Sequence, residues 1–261
     1  MVSIYEDFGY GLSPDTLYNA IKQAGFDGIS LLWRESFGDT NNAPPLLAQK
    51  AGLCVEYIHM PFNVDPNDLW RDNLNGTDVA RKFGQWIQDC HRFQVPALVV
   101  HLINGYEVPQ LNQIGLSRVM QIIETAEKYN INLAFENQQN TDVLDLVFEN
   151  INSPRAGFCY DSGHQNCFTP NKDVLQMYGT RLMVLHLHDN NGVVTGTPVD
   201  DGHLLPCDGN MGWRKIMGDI RAFGYTGSVS LEVMNRGYEK LPVEEFLQLA
   251  YNRAKKLEEL C

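Results

Sequence analysis

The segment Ala156-Gly157-Phe158-Cys159-Tyr160-Asp161-Ser162-Gly163-His164 runs from a short apolar stretch straight into a polar turn carrying an acid and an imidazole. A short run this rich in apolar residues fits a strand covered on both faces, as in a parallel sheet. Seven further runs of the same kind lie at residues 2–5, 28–33, 53–59, 97–102, 131–136, 182–188 and 228–233. Helix-like stretches separate them: 78–93, 111–129, 142–150 and 243–257 carry apolar residues at three- and four-residue spacing. Ser13-Pro14-Asp15 opens another with an N-cap and a proline at the first helical position. Gly25, Gly52 and Gly224 each stop a helix before the chain turns back. Eight strand–helix units over residues 1–261 predict an α/β fold, a single (β/α)8 TIM barrel. An open doubly wound sheet is the poorer fit, because no GxGxxG follows the first run.

Composition agrees with such a fold. Hydrophobic residues at 44% and charged residues at 20% can fill one large core without disulfides or structural metal. No apolar run is long enough for a membrane span, and residues 1–7 lack the basic and apolar regions of a signal peptide. The expectation is a cytoplasmic protein with no membrane partner. In that compartment Cys54, Cys90, Cys159, Cys167, Cys207 and Cys261, none in a CxxC pair, read as reduced thiols. A net charge of −12 repels polyanions and argues against general nucleic-acid binding.

The histidines carry the functional signal. Of seven, only His91 falls in a predicted helix. His59, His101 and His186 end their strands, His188 follows two residues on, His164 follows strand six, and His203 lies in a long loop over 189–211. Glu136 and Asp161 end strands five and six, Glu232 nearly ends strand eight, and Asp201 shares the loop. Barrel enzymes keep their chemistry at strand carboxyl ends. Each residue alone has a plainer reading: a hydrogen-bonded histidine, an ion-paired glutamate, an aspartate capping a helix. Drawn from at least five strands onto one rim, the carboxylates would be costly to ionise together unless divalent cations joined them. Mixed imidazole and carboxylate donors suit Zn²⁺, Mn²⁺, Co²⁺ or Fe²⁺.

Gly157 to His164, His186-Leu187-His188-Asp189, Asp201-Gly202-His203 and Leu231-Glu232 occur in an order and spacing that resemble the xylose-isomerase-like barrel superfamily. That group holds sugar and sugar-phosphate isomerases and epimerases and also endonuclease IV. The resemblance implies one catalytic metal on Glu136, Asp161, His186 and Glu232, with Glu136 and Glu232 exchanging a substrate proton. Beside them His164 or His188 is a candidate donor to a substrate oxygen, or else a residue that orients a ligand. The resemblance also implies, by the endonuclease pattern, two more metal sites: His59 and His101 sharing Glu136, and His164, Asp201 and His203. The chain departs from that pattern where Gly202 and His188 replace Arg and Asn, and where Asn190-Asn191-Gly192 lacks a basic residue. The epimerase arginine after strand seven is likewise missing, with Gly192 at the nearest match.

The leading expectation is therefore a divalent-metal-dependent isomerase or epimerase acting on a small sugar, sugar phosphate or polyol through an enediolate, with a dehydratase as a variant. The alternative is an endonuclease-IV-like phosphodiesterase acting on abasic DNA; a non-catalytic sugar-binding barrel is a third. The rim offers only scattered cations, Arg34, Arg71, Arg214 and Arg236, to follow phosphates. Aromatic residues Trp33, Phe37, Phe62, Trp70, Tyr106, Phe168 and Trp213 fall on or near the same loops, available to a sugar ring or to packing. Assembly as a homo-oligomer is the superfamily's implication.

Overall fold

The computed structural model describes residues 1–39 and 41–260. Among them, eight parallel strands form one sheet: β1 (Val2–Tyr5), β2 (Gly28–Leu32), β3 (Cys54–His59), β4 (Ala97–Val100), β5 (Asn132–Glu136), β6 (Ala156–Asp161), β7 (Leu182–His186) and β8 (Val229–Leu231). Each strand pairs with the next, and β1 also pairs with β8. The remaining seam, between β7 and β8, is stitched just past both strands. There Leu187 bridges Leu231, Leu187 N–H donates to the Ser230 carbonyl at 3.0 Å, and Glu232 N–H donates to the Leu187 carbonyl at 3.1 Å. The barrel is closed.

Helices α1 (Pro14–Gln23), α2 (Pro44–Lys50), α3 (Leu74–Arg92), α4 (Gln113–Tyr129) and α5 (Asp142–Asn150) follow the first five strands. Two short helices, α6 (Ser162–Cys167) and α7 (Val174–Tyr178), follow β6; α8 (Trp213–Ala222) follows β7 and α9 (Val243–Leu260) follows β8. Helix α3 starts four residues before the apolar periodicity does, because the Asn73 side chain caps it by accepting from Gly76 N–H. Its first residue, Leu74, is 87% exposed and so contributes nothing to the buried stripe.

Strand alternation sorts the side chains. Ile58, Leu98, Phe135, Phe158 and Leu185 face the helices in the larger core. Tyr57, Val99, Ala134, Cys159 and Val184 belong to a separate cluster inside the ring. Two residues further along that inward file stand His59, His101, Glu136, Asp161 and His186, and Ser230 leads likewise to Glu232. The period of the strand thus aims six ionisable groups into the same mouth.

Some boundaries differ from the sequence expectation. His101 and Glu232 lie one residue past their strands, and β7 ends at His186, leaving His188 beyond it. His164, outside every helix expected from the sequence, lies inside α6, whose N-cap is Asp161. Cys54, Cys90, Cys159, Cys167 and Cys207 are free thiols, whereas Cys261 lies outside the described residues. Among the described residues, no helix is long and apolar enough to cross a membrane.

Candidate metal centre

Glu136 occupies the middle of the mouth and is buried. Its Oε2 lies 2.9 Å from His101 Nε2 and 3.3 Å from His59 Nε2. Its Oε1 lies 3.1 Å from His164 Nδ1 and 3.5 Å from His186 Nδ1. Burial opposes the charge on Glu136, but His186 and His101 outweigh it and hold the carboxyl well below the usual range.

The four groups Glu136, Asp161, His186 and Glu232 each offer a ligand atom, all within 4.8 Å of one another, and all four residues are buried. His186 is the most telling member. Its Nδ1 lies 2.8 Å from Glu232 Oε2, 3.5 Å from Glu136 Oε1 and 3.9 Å from Asp161 Oδ2, yet it makes no aligned hydrogen bond to any of them. Close approach without hydrogen-bond alignment is what donor atoms show when they point at a common centre. The ring is held from behind by stacking on Tyr57, with centroids 5.3 Å apart. The donor set fits a divalent cation of the borderline kind.

A second pattern supports the same chemistry. His59 Nδ1 lies 2.6 Å from the Met60 carbonyl, His164 Nδ1 2.8 Å from the Asn137 carbonyl, and His203 Nδ1 2.8 Å from the Glu232 carbonyl. A carbonyl only accepts, so in each ring Nδ1 carries the proton and the neutral ring presents the Nε2 lone pair. That lone pair faces a carboxylate every time: Glu136 for His59, Asp201 Oδ2 at 3.1 Å for both His164 and His203. Lone pair against carboxylate is favourable only if the ring is protonated or a cation lies near, and the outer bond to main-chain oxygen is the usual brace of a metal-binding imidazole.

The remaining positions are brought to the same rim with different closeness. His59 joins Glu136 and His186 in one convergent set, while His101 stays outside it despite its bond to Glu136. His164, Asp201 and His203 form a hydrogen-bonded chain through Asp201 Oδ2. His188, His203 and Glu232 lie within 4.8 Å of one another as well. However, the His188 and His203 rings are stacked, with centroids 3.9 Å apart and planes at 5°. In-plane lone pairs of stacked rings lie in separate parallel planes, so the two rings cannot both aim in-plane at one ion.

His188 instead braces Asp161. Its Nε2 lies 3.1 and 3.2 Å from the two Asp161 oxygens. Its ring also lies against Gly163, where a Cβ would come within 1.9 Å of His188 Cε1. Asp161 Oδ1 also accepts from His164 N–H at 2.7 Å, so the helix-capping reading of Asp161 holds together with its place in the cluster.

Two bracing residues received no role from the sequence: Asn137, and Asp189 at the end of the run His186-Leu187-His188-Asp189. Asn137, fully buried, donates to the Asp161 carbonyl at 2.9 Å and accepts from Asp161 N–H at 2.8 Å, locking β5 to β6 at the rim. Asp189, also fully buried, accepts from Asn190 N–H, Cys207 N–H, Met211 N–H and Trp213 Nε1–H at 2.8–3.2 Å, and so folds the long loop onto itself. Gly209 permits this, since a Cβ there would meet Asp189 Oδ1 at 2.2 Å. Asp189→Ala strands these buried donors and is expected to cost at least about 3 kcal/mol in chemical denaturation. A cost under about 1 kcal/mol would show that solvent satisfies them instead.

A model of the xylose isomerase-like TIM barrel matches residues 18–257. The chain belongs to the xylose isomerase-like TIM barrel family. Among family relatives, an uncharacterized protein of Methanocaldococcus jannaschii is 28% identical over 204 residues, covering 68% of this chain and 64% of that protein. One from Sinorhizobium fredii is 36% identical over 115 residues, covering 44% of this chain and 35% of that protein. The chain thus spans less than two thirds of the length of either. The inosose isomerase of Bacillus subtilis is 22% identical over 191 residues, 69% of each chain. Of solved family barrels, the IolI protein crystallised with a bound zinc atom superposes with a TM-score of 0.79 at 15% identity, covering 98% of both chains. An L-ribulose 3-epimerase superposes at 0.74 with 15% identity, over 99% of this chain and 97% of that one.

Charge coupling at the family mouth makes the metal-free chain sensitive to pH. Burial works against a charged His203, but its bond to Asp201, with Glu232 adding to it, raises its pKa to about 9. His164 and His186 are also raised, against burial, by neighbours that include Asp161 for the first and Cys159 and Glu232 for the second. For a group raised on folding, the stabilisation is complete below its ordinary value of 6.5 and is lost as pH climbs through 9. Chelator-treated protein is therefore expected to melt at progressively lower temperature across that window. Divalent cation should reverse the trend, because it binds deprotonated imidazoles and gains affinity as pH rises. A metal-free melting temperature that is flat or rising there would contradict the assignment.

Proposed function

We propose that the chain is a divalent-metal-dependent isomerase or epimerase of a small sugar or polyol. The observation that carries this reading is the convergence of Glu136, Asp161, His186 and Glu232, buried at the open end of the barrel. These four residues would hold the ion, which when bound supplies Lewis acidity toward a carbonyl and its neighbouring hydroxyl. The isomerase and epimerase names among the relatives point to the same reaction class.

The chain's own groups then divide the work. Glu136 and Glu232 come from β5 and from the end of β8, so their carboxylates reach the bound substrate from different sides. One takes the proton from the carbon beside the carbonyl, and the other returns a proton to the neighbouring carbon or to the opposite face. His188 keeps Asp161 oriented, and Asn137 fixes the main chain of Asp161. Both nitrogens of His164 are engaged, Nδ1 by the Asn137 carbonyl and Nε2 by Asp201, so we assign it with Asp201 as a candidate ligand of a further ion rather than as the donor to a substrate oxygen. His101 and His59, with Nε2 atoms 2.9 and 3.3 Å from Glu136 Oε2, are the candidate ligands of a further ion that Glu136 would share.

Elemental analysis of purified protein, joined to a solvent-proton exchange screen over ketoses and inososes, tests the reading. At least one bound divalent ion per chain and metal-dependent exchange into one of these substrates are expected. Metal-free protein that exchanges protons equally well, or metal-loaded protein that exchanges none, would overturn it.

A further inference from the structure

We infer, on the isomerase or epimerase reading, that the mouth selects an uncharged polyhydroxy ketone and has no subsite for a phosphorylated one. In barrels of this architecture phosphate is commonly gathered by main-chain N–H groups of the loops after strands seven and eight, at the start of a nearby helix. In this chain that place is taken by its own carboxylate. Asp189, immediately past β7, draws in Asn190 N–H, Cys207 N–H, Met211 N–H and the Trp213 indole, the last of these on the first residue of α8. The donors that would cradle an external phosphate are satisfied internally, beside a negative charge that repels one.

The cations near the rim stand beside carboxylates too, in more exposed pairs. Arg34 lies 2.9 Å from buried Glu6, Arg71 bridges Asp65 and Asp68, and Arg236 binds both oxygens of Asp200 at 2.8 Å. Lys215, in the first turn of α8, is shared by Asp173 and Asp219. Arg214, exposed beside it, is the cation to exclude by experiment.

What the mouth offers instead is aromatic. Phe62, 59% exposed, packs on the His59 ring at 4.8 Å and near His101 at 6.2 Å. Tyr106, 64% exposed, meets Phe168 edge-on at 6.2 Å, and Phe168 lies 5.0 Å from the His164 ring. Aromatic faces open to solvent beside buried polar groups suit the C–H face of a polyol whose hydroxyls turn toward the carboxylates and imidazoles.

Two measurements on the metal-loaded protein decide the matter. The first compares solvent-proton exchange into a free ketohexose, an inosose and the ketohexose esterified with phosphate at its terminal hydroxyl. The neutral members are expected to exchange at least about tenfold faster, and Arg214→Ala to leave that ratio unchanged. The second titrates inorganic phosphate while following the backbone amide resonances of Asn190, Cys207 and Met211. No saturable shift is expected up to about 10 mM. Faster exchange into the ester, a ratio that depends on Arg214, or saturation of those amides below about 1 mM would overturn the inference. If no sugar exchanges at all, the reaction assignment falls; the phosphate titration then decides the charge class by itself, supporting it if the amides stay still and refuting it if they saturate.

Discussion

Glu136→Gln should lower solvent-proton exchange by at least about 1000-fold, the largest loss expected from any single isosteric change in this barrel. The substitution keeps the shape of the side chain and removes its charge. In the native mouth that charge is met by imidazole nitrogens from four strands or their extensions: His101 at 2.9 Å, His164 at 3.1 Å, His59 at 3.3 Å and His186 at 3.5 Å. An amide can accept through one oxygen only, and its NH₂ group neither carries the charge nor accepts from the imidazoles that now surround the carboxylate. On the proposed function the base and one of four converging ligands are lost, and the surrounding rings lose the charge they face. Glu232→Gln is expected to act similarly on exchange, because its carboxylate is held low, against burial, by His186. Near-UV circular dichroism close to wild type would show that the barrel persists around either change. Exchange within about tenfold of wild type in either variant would remove that residue from the proton-transfer role.

The barrel was legible because parallel strands buried on both faces must be apolar nearly throughout, and eight such runs left little else for the chain to build. The position of the site was legible for a related reason. An apolar run that ends on an acid or imidazole marks a strand tip facing the mouth, and 134–136, 159–161 and 184–186 all end in that way. What the pattern could not carry was anything decided by neighbours distant in sequence. Asn137 and Asp189 are ordinary polar residues until the fold places main-chain donors and acceptors around them. Of the seven aromatics near the rim, Phe37, Trp70 and Trp213 are buried packing residues, while Phe62 and Tyr106 remain open, a division that depends on which loop folds under which. The sequence shows only that the arginines near the rim are scattered, and the carboxylate partners of Arg34, Arg71 and Arg236 appear in three dimensions.

His186→Ala is expected to lower divalent-cation affinity by at least about 100-fold while leaving the strands paired, which equilibrium dialysis against a chelator buffer would measure. The argument rests on the state of the native ring. Both of its nitrogens are buried without an aligned hydrogen bond, and leaving them so costs about 1–3 kcal/mol each. A chain that carries such a cost in the middle of three carboxylates recovers it when the nitrogen meets a cation. Removing the ring therefore has opposite consequences in the two states. The metal-loaded protein loses a ligand, and Glu136, Asp161 and Glu232 lose the imidazole that separates their charges. The metal-free protein loses an unsatisfied group but opens a cavity against Tyr57, whose ring stacks on it at 5.3 Å. The thermal shift on adding cation should accordingly shrink far more than the melting temperature of the chelated protein falls. If both fall together, His186 is a packing residue whose neighbours happen to be acids, and the cation has no claim on this mouth.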